Sequence, residues 1–455
     1  MDVTDPAALD AEELLAAYAA GQLNPLQALQ AVTERIARRN PEINAFAVMD
    51  PAALQAARAS ARRWSRGEAA GALDGVPVTV KDLVDVAGLP TRRGSKATDA
   101  APVAEDAPLV KRLRAAGAVI IGKTTTTEFG WKSPGDCPLH GITRNPWNPA
   151  HTPGGSSSGA GAAAAAFFGP VHVGTDAGGS IRSPAAWSGV VGFKPTFGRV
   201  PQWPLGAFGH VAVAGPMTRS VRDAALMFSV MAGYDAADPF ALPDPPRDFL
   251  AGIEEGVAGL RIGILRRPGF AAPVDADGLA ALEAARRILE GQGAVVADLE
   301  VELPDISEIF SQVWGVALAR ALEGIPEQKR ALMDAGLRGV AERFRGTSGV
   351  ELMRAEAMRV QAAHAMAGLE VDAILCPAVP HCAPLAEAEV GDPVVALWQN
   401  WAPWTFLFNL TRQPAISVPM GVNAAGLPVA VQISAPIYRD EVVLRVARAV
   451  ERGVG

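Results

Sequence analysis

Along most of this 455-residue chain, short apolar runs alternate with stretches of helical period, and that alternation constrains the fold more than any other feature. Strand-like runs occur at Ile43 to Met49, Val76 to Val80, Ala118 to Ile121, Val171 to Gly174 and Val190 to Phe193. They continue at Leu260 to Leu265, Ala294 to Leu299, Ala373 to Leu375, Ala415 to Val418 and Val429 to Ile433. Residues 51–66 and 106–116 read as helices between them. Strands separated by helices argue for an α/β protein whose sheet has a parallel component and is covered on both faces. The first 70 residues read as helical: Asn24-Pro25 is a cap followed by proline at the first helical position, and Leu26, Leu29, Val32 and Ile36 recur at helical spacing. Asn40-Pro41 predicts the end of that helix. Its apolar face suits a dimer contact or intramolecular packing equally well, so a monomer and a homodimer are both open.

Segment 235–258, a mixture of Asp, Pro, Gly and Ala, is the best linker candidate. It separates a half spanning 71–234 from a half spanning 259–455. Strand signals on both sides suggest one shared sheet, so the expectation is a single domain over 1–455 with a helical region at 1–70. The run Gly159-Ala160-Gly161-Ala162, continuing to Ala166, reads as a short buried helix whose small side chains allow close backbone packing.

Apolar residues make up 49% of the chain and charged residues 20%, enough to build a sizeable core. A net charge of −7 argues against a broad nucleic-acid face. Met1-Asp2-Val3-Thr4-Asp5-Pro6 is acidic and does not read as a secretory signal. No apolar run approaches the roughly 18 residues of a membrane span. The three cysteines, Cys137, Cys376 and Cys382, have no CxxC spacing and read as free thiols in a reducing compartment. A cytoplasmic protein without membrane or nucleic-acid partners is the expectation.

Two motif matches weaken on inspection. Gly117-Ala118-Val119-Ile120-Ile121-Gly122-Lys123-Thr124 fits the phosphate-loop pattern, but its four variable residues are themselves the strand and not a loop with free amides. Gly155-Ser156-Ser157-Ser158-Gly159 fits a nucleophile elbow centred on Ser157, yet the turn-rich Asn145 to Pro149 precedes it where a strand belongs. His172, His210, His364 and His381 follow it in no recognisable setting, and none of the six histidines has metal-ligand spacing with another.

The serine at Gly174-Thr175-Asp176-Ala177-Gly178-Gly179-Ser180-Ile181-Arg182 has a better physical account. Val171 to Gly174 enters a turn, and Ser180 to Trp187 reads as a helix start, so Ser180 sits among free amides able to stabilise an oxyanion. The plainer reading is that Ser180 only caps its helix. Lys81 closes the apolar run Val76 to Val80; burial there lowers a lysine pKa and makes it a general base. The plainer reading of Lys81 is an exposed partner of Asp82 or Asp85.

Gly154-Gly155-Ser156-Ser157-Ser158-Gly159, the Gly174–Arg182 motif and Gly192-Phe193-Lys194-Pro195-Thr196 together resemble the amidase signature family. The likeness extends through Gly75 to Asp82, Gly122-Lys123-Thr124, Asn145-Pro146-Trp147, Gly215-Pro216-Met217 and Gln413-Pro414-Ala415, nearly the whole chain. It implies an α/β/α sandwich, a large twisted mixed sheet between helices. It also implies a Ser–cis-Ser–Lys triad: Lys81 as base, Ser156 as bridging serine after a cis Gly155–Ser156 bond, and Ser180, 24 positions on, as acylated nucleophile. By the same likeness the amides of Ala177, Gly178, Gly179 and Ser180 form the oxyanion hole, and no cofactor or metal is needed.

The resemblance leaves the substrate, a small-molecule amide, loosely defined. Trp131, Trp203, Phe208, Trp314, Trp398, Trp401 and Trp404 lie where this family varies its pocket; Trp131, Cys137, Trp203, Phe208 and Trp401 are the candidate lining residues. Together they favour an apolar or aromatic substituent over a small charged amide, with esters and carbamates open to the same chemistry. The family also contains glutamine-hydrolysing subunits of tRNA-dependent amidotransferases. This chain reads Glu128-Phe129-Gly130-Trp131 where those subunits carry Asp-Glu-Phe-Ala-Met-Gly, which favours a free amidohydrolase.

Overall fold

The computed structural model describes residues 5–268, 274–387 and 401–454. Its strands begin with β1 (Phe46–Met49), β2 (Pro77–Lys81) and β3 (Val119–Thr124). A small separate hairpin follows, made of β4 (Asp136–Cys137) and β5 (Gly141–Ile142). Next come β6 (Val171–Asp176), β7 (Val191–Lys194), β8 (Val213–Thr218) and β9 (Arg261–Ile264). The series closes with β10 (Val295–Asp298), β11 (Ala373–Pro377), β12 (Ala415–Val422) and β13 (Pro428–Ser434). Among the described residues eleven of these strands form one sheet in the order β1-β3-β2-β6-β8-β7-β12-β13-β11-β9-β10. The β3-β2-β6 and β11-β9-β10 segments are parallel, and the strands that join them are antiparallel.

Both faces of the sheet are covered, as the alternation predicts. In β11, Ala373 and Leu375 enter one core with Leu282 and Val443; Ile374 and Cys376 enter another with Phe310 and Phe406. That split follows from side chains pointing to opposite faces at successive positions. The two halves contribute adjoining blocks of the one sheet, β1 to β3 and β6 to β8 from the first and β9 to β13 from the second, joined where β7 pairs with β12. The 235–258 segment forms neither helix nor strand, and it anchors Phe249, Ile253 and Val257 in the larger core.

One expectation about the N-terminal helix and one about the sheet need correction. The helix does not stop at Asn40-Pro41 but runs Pro25–Ile43, with Pro41 inside it and Asn44 at φ 58° ending it. Its apolar face packs inward: Leu29, Val32 and Ile36 are buried with Ala57, Ile121 and Phe168. The strand β8 was not anticipated. Gly215-Pro216 interrupts its pattern, yet Pro216 sits opposite Val173 in the middle of the sheet. Asn24 caps as expected, its side chain accepting from the Leu26 and Gln27 amides at 3.0 and 3.1 Å.

Candidate active site

Three segments meet beyond the C-terminal ends of the parallel pair β2 and β6, the edge where open α/β sheets present their ligand crevices. Lys81 is the last residue of β2, the turn Ala177–Ser180 follows β6, and Ser156-Ser157 lead into the helix Ser158–Ala165. That helix is made of Ser, Gly and Ala because it lies against backbone. A Cβ on Gly159 would stand 2.2 Å from the Ala45 carbonyl oxygen and 2.5 Å from the Thr125 nitrogen. The small-residue run is therefore a packing device, as the sequence suggests.

Lys81 is fully buried. Its Nζ donates to Ser156 Oγ at 2.7 Å, Ser157 Oγ at 2.9 Å and the Thr175 carbonyl at 3.3 Å. No carboxylate contacts it among the described residues, and Asp82 instead pairs with Lys123 at 2.8 Å. Burial pushes the Lys81 amine well below the usual lysine range, against a smaller upward pull from Asp176. The Gly155–Ser156 peptide bond is cis. Ser157 receives the Thr175 amide at 3.3 Å and donates to the Thr175 carbonyl at 3.2 Å, so its proton is already directed at backbone. Of the two serines on Lys81, Ser156 is left to exchange a proton.

The Ala177–Ser180 turn is held from below. Asp176 accepts from the Gly179 and Ile181 amides at 2.7 and 3.1 Å, and from Arg182 Nε and Nη2 at 2.9 and 3.0 Å. Burial raises the Asp176 pKa, but the Arg182 guanidinium outweighs it and holds the carboxyl at about 2. Arg182 also donates to Gln432 and Asn409, both at 2.6 Å, and Asn409 returns a bond to the Asp176 carbonyl at 3.0 Å. Thr405 Oγ1 donates to the Gly178 carbonyl at 2.7 Å. Among the described residues no partner takes the amides of Ala177, Gly178 and Ser180. Of the four amides expected to receive an oxyanion, that of Gly179 already donates to Asp176. Ser180 does not cap a helix: the helix begins two residues later, at Arg182, with Ile181 in the cap position.

Ser156, Thr175, Ala177 and Ser180 share one cavity, about 750 Å³ counting the part open to solvent. Leu83, Leu109, Phe129, Trp203 and Phe208 give it apolar walls. Two of the five anticipated lining residues, Trp203 and Phe208, are there. Trp131, Cys137 and Trp401 are not, because each belongs to packing elsewhere. Trp131 is buried beneath Gly336 and accepts the Trp314 Nε1 proton on its carbonyl at 3.2 Å. Cys137 lies under Gly94, and Trp401 packs edge-on against Trp187 at 5.7 Å. Trp314 stacks behind Phe208 at 3.7 Å, Trp404 is buried in the same core, and Trp398 lies outside the described residues.

Sequence reasoning missed Ser157 as a partner of Lys81, and Phe129 and Gly130 as lining of the cavity. Gly130 carried a signal: it has φ 78°, and a Cβ on it would stand 3.2 Å from Ser156 Oγ. The weaker motif matches stay weak. Residues Val119–Thr124 are a strand, and Lys123 donates to the Pro90 carbonyl and Thr91. His172 is buried against Thr79 at 2.8 Å, and burial drives its pKa down to about 3, so it serves no Ser157-centred elbow. Burial pushes the Cys137 thiol up to about 11 and that of Cys376 up to about 12, which keeps both unreactive. No helix of the described residues is long and apolar enough to cross a membrane.

Known proteins place the chain on the same ground. Residues 27–444 match the family model Amidase. The acylamidase of Rhodococcus erythropolis is 36% identical over 449 residues, covering 96% of this chain and 94% of that protein. One component of the glutamyl-tRNA(Gln) amidotransferase of Pseudomonas fluorescens SBW25 is 35% identical over 444 residues, covering 91% and 90%. The crystal structure of a bacterial aryl acylamidase of the amidase signature enzymes superimposes with a TM-score of 0.90 at 29% identity, covering 98% of this chain and 96% of that one. Matched along nearly its whole length in sequence and in fold, the chain belongs to the Amidase family and is an amide-hydrolysing enzyme.

Proposed function

We propose that the protein is a free amidohydrolase cleaving amides with an apolar or aromatic substituent, through an acyl-enzyme on Ser180. One observation carries this reading. A fully buried lysine without a carboxylate partner bonds Ser156, and Ser156 opens on the same cavity as Ser180. Neutral Lys81 accepts the Ser156 proton as Ser156 takes that of Ser180, and Ser180 attacks the carbonyl carbon. Negative charge gathers on the carbonyl oxygen, which the amides of Ala177, Gly178 and Ser180 receive. The proton then returns through Ser156 to the leaving nitrogen, the C–N bond breaks, and water repeats the relay to release the acid. The apolar walls formed by Leu109, Trp203 and Phe208 support an aryl or alkyl group on the substrate. Esters and carbamates offer Ser180 the same carbonyl.

A glutamine-hydrolysing component of an amidotransferase is the second reading, favoured by the relatives of that name. The test is intact-mass analysis after treatment with an alkyl sulfonyl fluoride, beside turnover of an aryl amide, an aryl ester, an aryl carbamate and glutamine. The expected result is one adduct that Ser180→Ala abolishes, with the aryl amide turned over and glutamine not. Labelling or turnover that survives Ser180→Ala sinks the nucleophile assignment. Glutamine turnover without aryl amide turnover transfers the protein to the second reading.

A further inference from the structure

Arg93 has no counterpart among the groups used so far, yet it lines the same cavity as Ser180. It is half-buried and adopts φ 55°, a left-handed conformation uncommon for a non-glycine residue. Its backbone is clamped on both sides. The Arg93 amide donates to the Asp82 carbonyl at 3.1 Å, next to Lys81, and its carbonyl accepts from the Phe129 amide at 2.9 Å. The neighbouring Arg92 spends its side chain on Thr98 and the Ser95 carbonyl. Among the described residues the Arg93 guanidinium has neither a hydrogen bond nor an ion pair. Asp85 is the other charged lining residue. It forms no ion pair with Arg93; its charge acts on Lys123, and its Oδ1 is buried without a partner.

A substrate that fills these apolar walls strips water from Arg93. Burying an unpaired guanidinium is costly, whereas a carboxylate supplies two parallel charge-assisted hydrogen bonds in its place. We propose that Arg93 is a specificity-determining residue that holds a carboxylate on the substrate, away from the scissile bond. The preferred substrate is then an amide with an apolar body and an anionic group. This rests on the hydrolase reading above and narrows it.

The test compares kcat/KM for the mono-4-nitroanilide of glutaric acid with that for the 4-nitroanilide of pentanoic acid, which has similar size and no charge. Wild type is expected to favour the anionic substrate, and Arg93→Leu to lower the ratio of the two roughly tenfold or more, chiefly through KM. Arg93→Lys is expected to keep part of the preference, since a point charge replaces a fork. A ratio unchanged in Arg93→Leu, or a wild type that favours the neutral anilide, overturns the proposal. Calorimetry of the glutaric monoanilide binding to Ser180→Ala, with and without Arg93→Leu, reads the same contact without turnover. Equal binding to both overturns the proposal, and at least tenfold weaker binding to the double variant supports it. Should neither anilide be hydrolysed by the wild type, the hydrolase reading fails while the binding comparison still decides the role of Arg93.

Discussion

Two fully buried lysines stand on neighbouring parallel strands, Lys81 ending β2 and Lys123 in β3, with Thr124 opposite Lys81. Burial pushes both amines down. They differ in their partners. Lys123 meets the Asp82 carboxylate at 2.8 Å, with Pro90 and Thr91 completing its donors, so its charge is paired inside the protein. Lys81 meets two hydroxyls and a carbonyl, none able to balance an ammonium. An ammonium in such surroundings is driven to shed its proton, and the free lone pair is what a general base requires. Burial alone therefore does not mark a catalytic lysine. Burial without a counter-charge, beside a hydroxyl that reaches a cavity, is what sets Lys81 apart as the proposed base.

The sharpest way to break this comparison is to exchange each lysine for methionine. Lys81→Met is expected to lower kcat/KM for an aryl amide by about a thousandfold or more while leaving the urea midpoint nearly unchanged. In the wild type, a neutral Lys81 predicts activity that holds to a pH well below the usual lysine pKa and falls as pH drops through its own. An acid limb in the ordinary lysine range would refute that assignment. Lys123→Met carries the opposite signature. It strands Asp82, whose Oδ2 already has no partner, and is expected to cost about 3–5 kcal/mol in urea unfolding. Adding Asp82→Asn should restore part of that loss, because a neutral amide is cheaper to bury than a lone carboxylate. A double variant no more stable than Lys123→Met would show that the pair is not the source. The smallest effect concerns Asp176, the carboxylate whose charge pulls on Lys81 without touching it. Its pKa is lowered to about 2, so its stabilisation is complete above about pH 4 and lost as pH falls through about 2. The loss should be on the order of 2 kcal/mol by acid titration of unfolding, and absent in Asp176→Asn.

Much of this was legible in the residues, unevenly. The strand runs were readable because apolar β-branched residues are bounded by Gly and Pro, and all ten became strands. The strand Val213–Thr218 was not, since Gly215-Pro216 reads as a break; Pro216 is tolerated in mid-sheet without a donor to give. Pro41 misled in the same way, because the turn that ends its helix is set by Asn44 three residues on. Ser156 and Ser180 were visible in short glycine-flanked motifs, and Lys81 at the end of the apolar run Val76 to Val80. The lining of the cavity was only partly so. Trp131, Trp401 and Cys137 are large or soft residues that suit a pocket and a core alike, and only tertiary contacts tell the two apart. Thr405, Asn409 and Gln432, which hold the Ala177–Ser180 turn, lie more than two hundred positions from it and have no local signature.

The residues that hold the Ala177–Ser180 turn are made long after the turn itself. A nascent chain that has just left the ribosome as far as Thr218 already carries Lys81, Ser156 and Ser180. It lacks the residues that fasten Asp176 and Arg182, and with them the turn proposed to receive the oxyanion. The proposed reacting groups are translated first, and the means of aiming them arrives only with Thr405, Asn409 and Gln432. Under the proposed mechanism hydrolysis waits for Gln432, and a chain released before it is an unarmed one.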